Sequence, residues 1–261
     1  MSVFANVIEG VATKTLVTRI ALCGLGAIAC LWGLTTFPIF WSESTIDKIG
    51  GRIASGEPFK RESLLALRPQ LDALEHRAWP TPESLHNVAL IELRLAELEL
   101  GSGSPIAGNA QFERAQIAIE SALRAVPSDG FMWFALFWLT KTRDGYRQES
   151  LPYLRMSYRV APHEGWIAVR RNRVAVSILS ILPADLAETV ITEFRNLVSS
   201  GFVEPAAEIL TGPGWGNREL LLTGLANAPE DARRQLADAI YDRGFDVTIP
   251  GVERRGQRPW R

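Results

Sequence analysis

The sequence predicts an all-α protein, with one helix in a membrane and a set of helical hairpins outside it. Three observations carry this. A long uncharged run lies near the N-terminus, the remainder reads as helices punctuated by Pro and Gly with no clear strand alternation, and a helix-plus-proline pattern recurs at a fixed spacing.

The run comes first. Between Arg19 and Glu43 stand 23 residues without a charge, IALCGLGAIACLWGLTTFPIFWS. At about 1.5 Å per residue they make a helix of roughly 34 Å, enough for the ~30 Å hydrocarbon core of a bilayer. No polar stripe runs along it, as a helix half-buried on a water-exposed domain would have. Trp32 and Trp41 are placed for an interfacial role, Trp41 the more clearly. Pro38 falls near the far end, where a kink costs little. The span is read as Ile20–Trp41 and as an uncleaved anchor. Two rivals stay open, a cleaved signal peptide and a buried helix, although the run is long for a signal and no A-x-A-like site follows it. Val3, Phe4, Val7, Ile8, Val11, Leu16 and Val17 recur at roughly helical spacing, so residues 1–43 divide into an amphipathic lead-in and the anchor.

Orientation rests on Lys and Arg alone. Lys14 and Arg19 precede the anchor, while Lys48, Arg52, Lys60 and Arg61 follow it within a wider window. The near flank favours a cytoplasmic N-terminus and a periplasmic C-terminal domain in a bacterial inner membrane; the wider window does not.

Residues 44–80 read as a stalk and first helices, with Leu64, Leu65, Leu67, Leu71 and Leu74 at helical spacing around Pro69. Residues 81–245 form the main helical domain. Thr81-Pro82-Glu83 is a helix start, with a capping hydroxyl, proline at the first position and an acid at the positive dipole end. That helix is expected to stop at Gly101-Ser102-Gly103. A loop with Pro105 and Gly108 then leads into QFERAQIAIESALRAV. Residues 246–261 have no periodicity and are expected to be a flexible tail.

The recurrence lies in the middle. AIESALRAVP ends at Pro127 and YLRMSYRVAP ends at Pro162, 35 residues apart. Each proline is followed by an aromatic-bearing helix containing Trp133 or Trp166. This is close to the ~34-residue period of tetratricopeptide (TPR) helix pairs. Ala115, Ile119, Ala122 and Pro127 stand where that pattern wants small, bulky, small and proline. Ser150 and Ser157 occupy the small positions of the second unit. The fold class is therefore a TPR-like helical-hairpin domain, an α-solenoid, behind a transmembrane helix.

Chemistry is sparse. Cys23 and Cys30, the two cysteines, both lie in the anchor, so no disulfide framework or cysteine zinc site is available elsewhere. His76, His86 and His163 have no second ligand at metal spacing. No H-E-x-x-H, G-x-S-x-G or P-loop is present, and GSGSPIAG has Ile106 where a dinucleotide fingerprint needs glycine. TGPGWGNRE sets a glycine loop before a helix, without the Lys or Ser/Thr of a phosphate site. No catalytic residue, cofactor or metal is expected.

One charge asymmetry stands out. Residues 141–173 carry eight basic and three acidic side chains, a balance of +5, against −3 for residues 43–100. Arg155 and Arg159 share a helix face, with Tyr153, Tyr158 and Trp166 among them. Arg155, Arg159, Trp166, Arg170 and Arg173 are the candidate partner-binding surface, suited to an acidic glycan or peptide. The plainer alternative is that the arginines pair with neighbouring acids and the aromatics fill the core. A net charge of −1 gives no reason to expect nucleic acid.

Over residues 80–200, ALRAVPSDGFMWFALFWLT and MSYRVAPHEGWIAVRRNRVAV resemble a family of membrane-anchored, TPR-like proteins of bacterial exopolysaccharide loci, the VpsP-type family. The resemblance rests on Ala161-Pro162 and Trp166, with Pro127 and Trp133 upstream. It implies an accessory role in polysaccharide assembly or export, with other envelope or polysaccharide-assembly proteins as partners and no catalytic residues. The rival is an enzyme or enzyme subunit of the cell envelope with a site dispersed over the helices. A pocket gathering Arg170, Arg173, His163 and carboxylates would mark it.

Overall fold

The structure is a computed structural model that describes Arg19 and residues 22–34, 45–75, 77, 80–100 and 105–252, with the side chains of 105–107 excepted. Among the described residues the regular structure is entirely helical. The chain divides into two compact units, Met1–Ser102 and Gly103–Arg261. The predicted 81–245 domain runs across that division.

In the first unit, residues 22–34 are helical. Leu22, Leu25, Ile28, Leu31, Trp32 and Leu34 stand 63–74% exposed on it, all round the helix. The predicted span Ile20–Trp41 extends beyond these residues at both ends, into positions outside the described ones. Among the described residues no helix is long and apolar enough to cross a membrane.

The stretch read as a stalk is instead part of a core. Residues 45–54 form a helix, here α1. Its Ile46 is fully buried, and its Asp47 accepts a 3.0 Å bond from Asn87 Nδ2. Gly50 lets it approach closely, since a Cβ there would lie 2.2 Å from the Asn87 side-chain oxygen. The leucine-rich stretch does not absorb Pro69 within one helix. It breaks into α2, Arg61–Leu65, and α3, Arg68–Glu75, which places Pro69 in a first turn where no amide is needed. The next helix, α4, is Pro82–Glu99, and Thr81 caps it by accepting from Ser84 N at 3.1 Å. Both α2 and α3 pack on α4, which buries Val88, Ile91 and Leu95.

The second unit holds α5, Pro105–Ala125; α6, Gly130–Asp144; α7, Leu151–Val160; α8, Gly165–Ala175; α9, Ala184–Ser199; α10, Val203–Thr211; α11, Arg218–Gly224; and α12, Glu230–Asp242. The expected loop at Pro105–Gly108 is helix. Proline at the first position supplies a preset φ, and the one internal glycine costs only about 1 kcal/mol. Helix α6 packs on both α5 and α7, α8 on α9, and α9 and α12 on α10. Phe137 on α6 and Phe194 on α9 are fully buried.

The recurrence at Pro127 and Pro162 has a structural counterpart. Each proline precedes a helix that opens on glycine, at Gly130 and Gly165. A Cβ on Gly130 would sit 2.2 Å from the Ala161 Cβ, and one on Gly165 would sit 2.5 Å from the Phe202 ring. Both glycines therefore mark close approaches. The caps differ: Asp129 accepts from Met132 N at 3.0 Å, whereas Glu164 makes no side-chain cap.

Between α8 and α9 runs a 3-10 stretch, Val176–Ile181. Asn217 Nδ2 donates to the Val176 carbonyl at 3.1 Å, and the Tyr146 hydroxyl donates to the Ile181 carbonyl at 3.0 Å. Residues 246–252, expected to be free, are part of the packing, since Ile249 is buried. The remainder of the predicted tail, 253–261, lies outside the described residues.

Candidate functional site

Arg171 is the centre of the second unit's polar chemistry. It stands on α8 in phase with the buried Ile167 and Ala175 and is itself 0% exposed. A buried guanidinium is tolerable only when charge and hydrogen-bonding capacity are both met. Its Nε and one terminal nitrogen donate to Glu193 Oε1 at 3.0 and 2.6 Å. That terminal nitrogen also donates to the Ala161 carbonyl at 3.1 Å, and the other donates to Ser157 Oγ at 2.9 Å. The Tyr158 ring lies 4.0 Å from the guanidinium carbon, a cation–π contact in a desolvated setting.

Glu193, on α9, is satisfied in turn. Its second oxygen accepts from the Tyr158 hydroxyl at 2.9 Å and from Asn172 Nδ2 at 3.3 Å. Asn172 Nδ2 also reaches the Val190 carbonyl at 2.9 Å, and Ser157 Oγ donates to the Gly130 carbonyl at 2.8 Å. Asn172 Oδ1 is buried without a protein hydrogen-bond partner. The network thus joins α6, α7, α8 and α9. Burial pushes the Glu193 carboxyl above the usual carboxylate range, against the opposing pull of Arg171 and the bonds from Arg171, Tyr158 and Asn172. Burial, with the Glu193 charge beside it, also holds the Tyr158 hydroxyl well above the ordinary phenol value.

Arg170 is one residue along, and a step of about 100° on the helix turns it outward. Its guanidinium carbon lies 5.4 Å from the Trp166 ring and 5.7 Å from that of Phe131. The two rings are 5.0 Å apart and tilted by 32°. Trp166 is 45% exposed, and its Nε1 is anchored to Glu164 at 3.0 Å. Within this stack Trp166 is the exposed member, while Phe131 is buried and Arg170 is half-buried.

The other predicted surface residues separate. Arg155 forms a two-pronged pair with Asp185 of α9. That bond lowers the Asp185 pKa and raises that of Arg155. Arg173 lies 3.8 Å from Glu208. Arg159 is exposed. Tyr153 stacks on Trp133 at 6.1 Å instead of joining the arginines, and Trp133 Nε1 donates to the Pro127 carbonyl. Of the five predicted residues, Trp166 and Arg170 come together, and Arg155 and Arg173 take the acidic partners of the plainer alternative.

A shallow cleft of about 400 Å³ adjoins the network. Its walls include His163, Glu193, Asn196, Ser199 and Phe202, but neither Arg170 nor Arg173. The gathering of both arginines with His163 that would mark an enzyme site is therefore not formed there, and the one buried carboxylate present is engaged by Arg171. Among the described residues no group of His, Cys, Asp or Glu is arranged to hold a metal. The glycines around Trp215 form a turn closed by Gly214 N donating to the Ile209 carbonyl at 2.8 Å. Trp215 packs 4.8 Å from Phe245 there.

Sequence reasoning placed Arg171 in a charge count and missed Glu193. The signal for Arg171 was available, because it falls i+4 from Ile167 and i−4 from Ala175, on the stripe that faces inward. Compared with family models, curated proteins and solved structures, the chain has no match.

Proposed function

We propose that this chain is a non-catalytic, membrane-tethered adaptor built of TPR-like helix pairs, acting beside polysaccharide assembly or export in a bacterial envelope. The observation that carries the tether is the helix at 22–34, whose six large apolar side chains all face outward within a longer uncharged run. In water that surface is an aggregation liability; in hydrocarbon it is matched. The inner membrane, with the C-terminal domain periplasmic, is the location we assign.

The adaptor reading rests on the helix pairs spaced by 35 residues, and on Trp166, exposed against Arg170 and the buried Phe131, as the presenting surface. Aromatic and Arg side chains on a fixed base are the groups that anchor interfaces. Its partner would be another envelope or polysaccharide-assembly protein, or an acidic glycan or peptide. The polysaccharide role is supported by the sequence resemblance over residues 80–200.

Alkaline carbonate extraction of membranes tests the tether. The full chain is expected in the pellet and a variant lacking residues 1–43 in the supernatant; a full chain released by carbonate would overturn it. Detergent co-purification of wild type and W166A/R170A tests the adaptor surface, with the double variant losing its partner while keeping its helicity. Normal polysaccharide in a deletion strain, with no assembly component co-purifying, would end the polysaccharide reading.

A further inference from the structure

The stretch after α12 bridges a hollow. Helix α12 stops at Asp242, and Gly244 turns the chain at φ +92°, its amide donating to the Tyr241 carbonyl at 2.9 Å. Residues 245–249 then run without regular structure. A cleft of about 580 Å³ lies between them and α12, with Ala237 on the helix side and Phe245, Val247 and Ile249 on the other. At the near end Phe245 packs on Trp215. At the far end Ile249 is 2% exposed, and Arg233 Nη1 donates to the Pro250 carbonyl.

The far clasp is built at a cost. Arg233 spends a half-buried guanidinium on a backbone carbonyl, and its Nε is buried without a protein hydrogen-bond partner. Burying an isoleucine side chain and leaving a buried donor unsatisfied are opposing effects of similar size. Opening exposes Ile249 and rehydrates Nε, so the two largely offset. Gly251 makes the clasp possible. Its φ is +70°, and a Cβ there would meet Arg233 Nη1 at 2.5 Å, so a side chain would push the guanidinium off the carbonyl.

We infer that residues 245–252 are a strap that opens as a unit while the rest of the fold stays intact, with Gly244 as its hinge and the Arg233–Pro250 bond as its clasp. Closed, it roofs the cleft; open, it lays bare the α12 face beneath. The inference does not depend on the adaptor reading.

Thermolysin cuts before bulky aliphatic residues, here Val247 and Ile249, and needs an extended chain. A seated Ile249 denies it the site. The full chain in detergent is digested under native conditions, and cutting within the strap is followed by mass spectrometry. The wild-type rate should change little with urea below the unfolding transition, as for a local opening. G251A should be cut at least ten-fold faster. R171M, which weakens the unit at α8 and α9 without touching the strap, should be cut there at the wild-type rate. A wild-type rate that climbs steeply with urea, or one that rises in R171M as much as in G251A, would mean that the strap leaves only on global unfolding and would overturn the inference. So would a G251A rate equal to that of wild type.

Discussion

Both units of this protein set arginine against a buried glutamate, and they do it differently. In the first, Arg68 reaches Glu92 and Arg61 reaches Glu99 at 2.6 Å. The glutamates are buried on α4, seven residues apart and on one face, while the arginines keep 22% and 40% of their side chains in solvent. In the second unit Arg171 is buried with its glutamate and takes four hydrogen bonds and a ring. The difference lies in who completes the cation's solvation. On α2 and α3 water does part of it, since both arginines keep part of their side chains in solvent. Under α8 only protein is available, so Ser157, the Ala161 carbonyl and Tyr158 are recruited. A buried pair of the second kind is a weak source of net stability and a strong constraint on geometry.

The largest effect should come from splitting the second pair. R171M leaves Glu193 buried without its cation and should cost about 3–5 kcal/mol. It would be read as a lowered urea midpoint in hydrogen-exchange peptides from α7–α9. The double variant R171M/E193L should recover much of that loss. If it is as unstable as R171M, the arrangement is worth more as a pair than this account allows.

R68A should cost less, about 1–3 kcal/mol, because solvent reaching the vacated place hydrates part of Glu92. The loss should appear in peptides of α3 and α4. An R68A cost equal to that of R171M would erase the distinction between the two pairs.

The smallest effect is one of acidity, and it separates two acids on the same helix. Asp185 has a lowered pKa because Arg155 bonds it, so its stabilisation is present above the unfolded value and lost as pH falls through the folded one. Glu193 has a raised pKa because it is buried, so its contribution is fullest below the ordinary carboxylate value and is lost as pH rises through the folded one. Carboxyl carbon NMR should show Asp185 titrating below the usual range and Glu193 above it. The reverse order would mean that Arg171 outweighs burial at Glu193.

Much of the helical framework was legible in the sequence because its signals are local. Thr81 before Pro82, Pro127 and Pro162 each act within a turn, and each sits at the boundary it marked. Pro105 was misread because a proline beside glycines looks like a loop, yet at a first helical position it initiates. Pro69 was misread the other way, as a proline inside one helical pattern, whereas it stands in the first turn of a second helix. The site was less legible. Trp166 and Arg170 lie four apart on one helix, so their meeting followed from spacing alone. Glu193 meets Arg171 across 22 residues and two helices, and no local pattern encodes that. For Arg155, charge and the helix face shared with Arg159 suggested an outside partner, and the plainer alternative holds: Asp185, 30 residues on, is its partner.

The 3-10 stretch between α8 and α9 has a metric consequence. Six residues of 3-10 helix advance about 12 Å, where an α-helix would advance about 9 Å. Its first and last carbonyls are held by Asn217 and Tyr146, so that extra length is spanned between two fixed points. Val176–Ile181 therefore works as a spacer of set gauge: winding it as α-helix would leave the span short by about 3 Å, whatever side chains it carried.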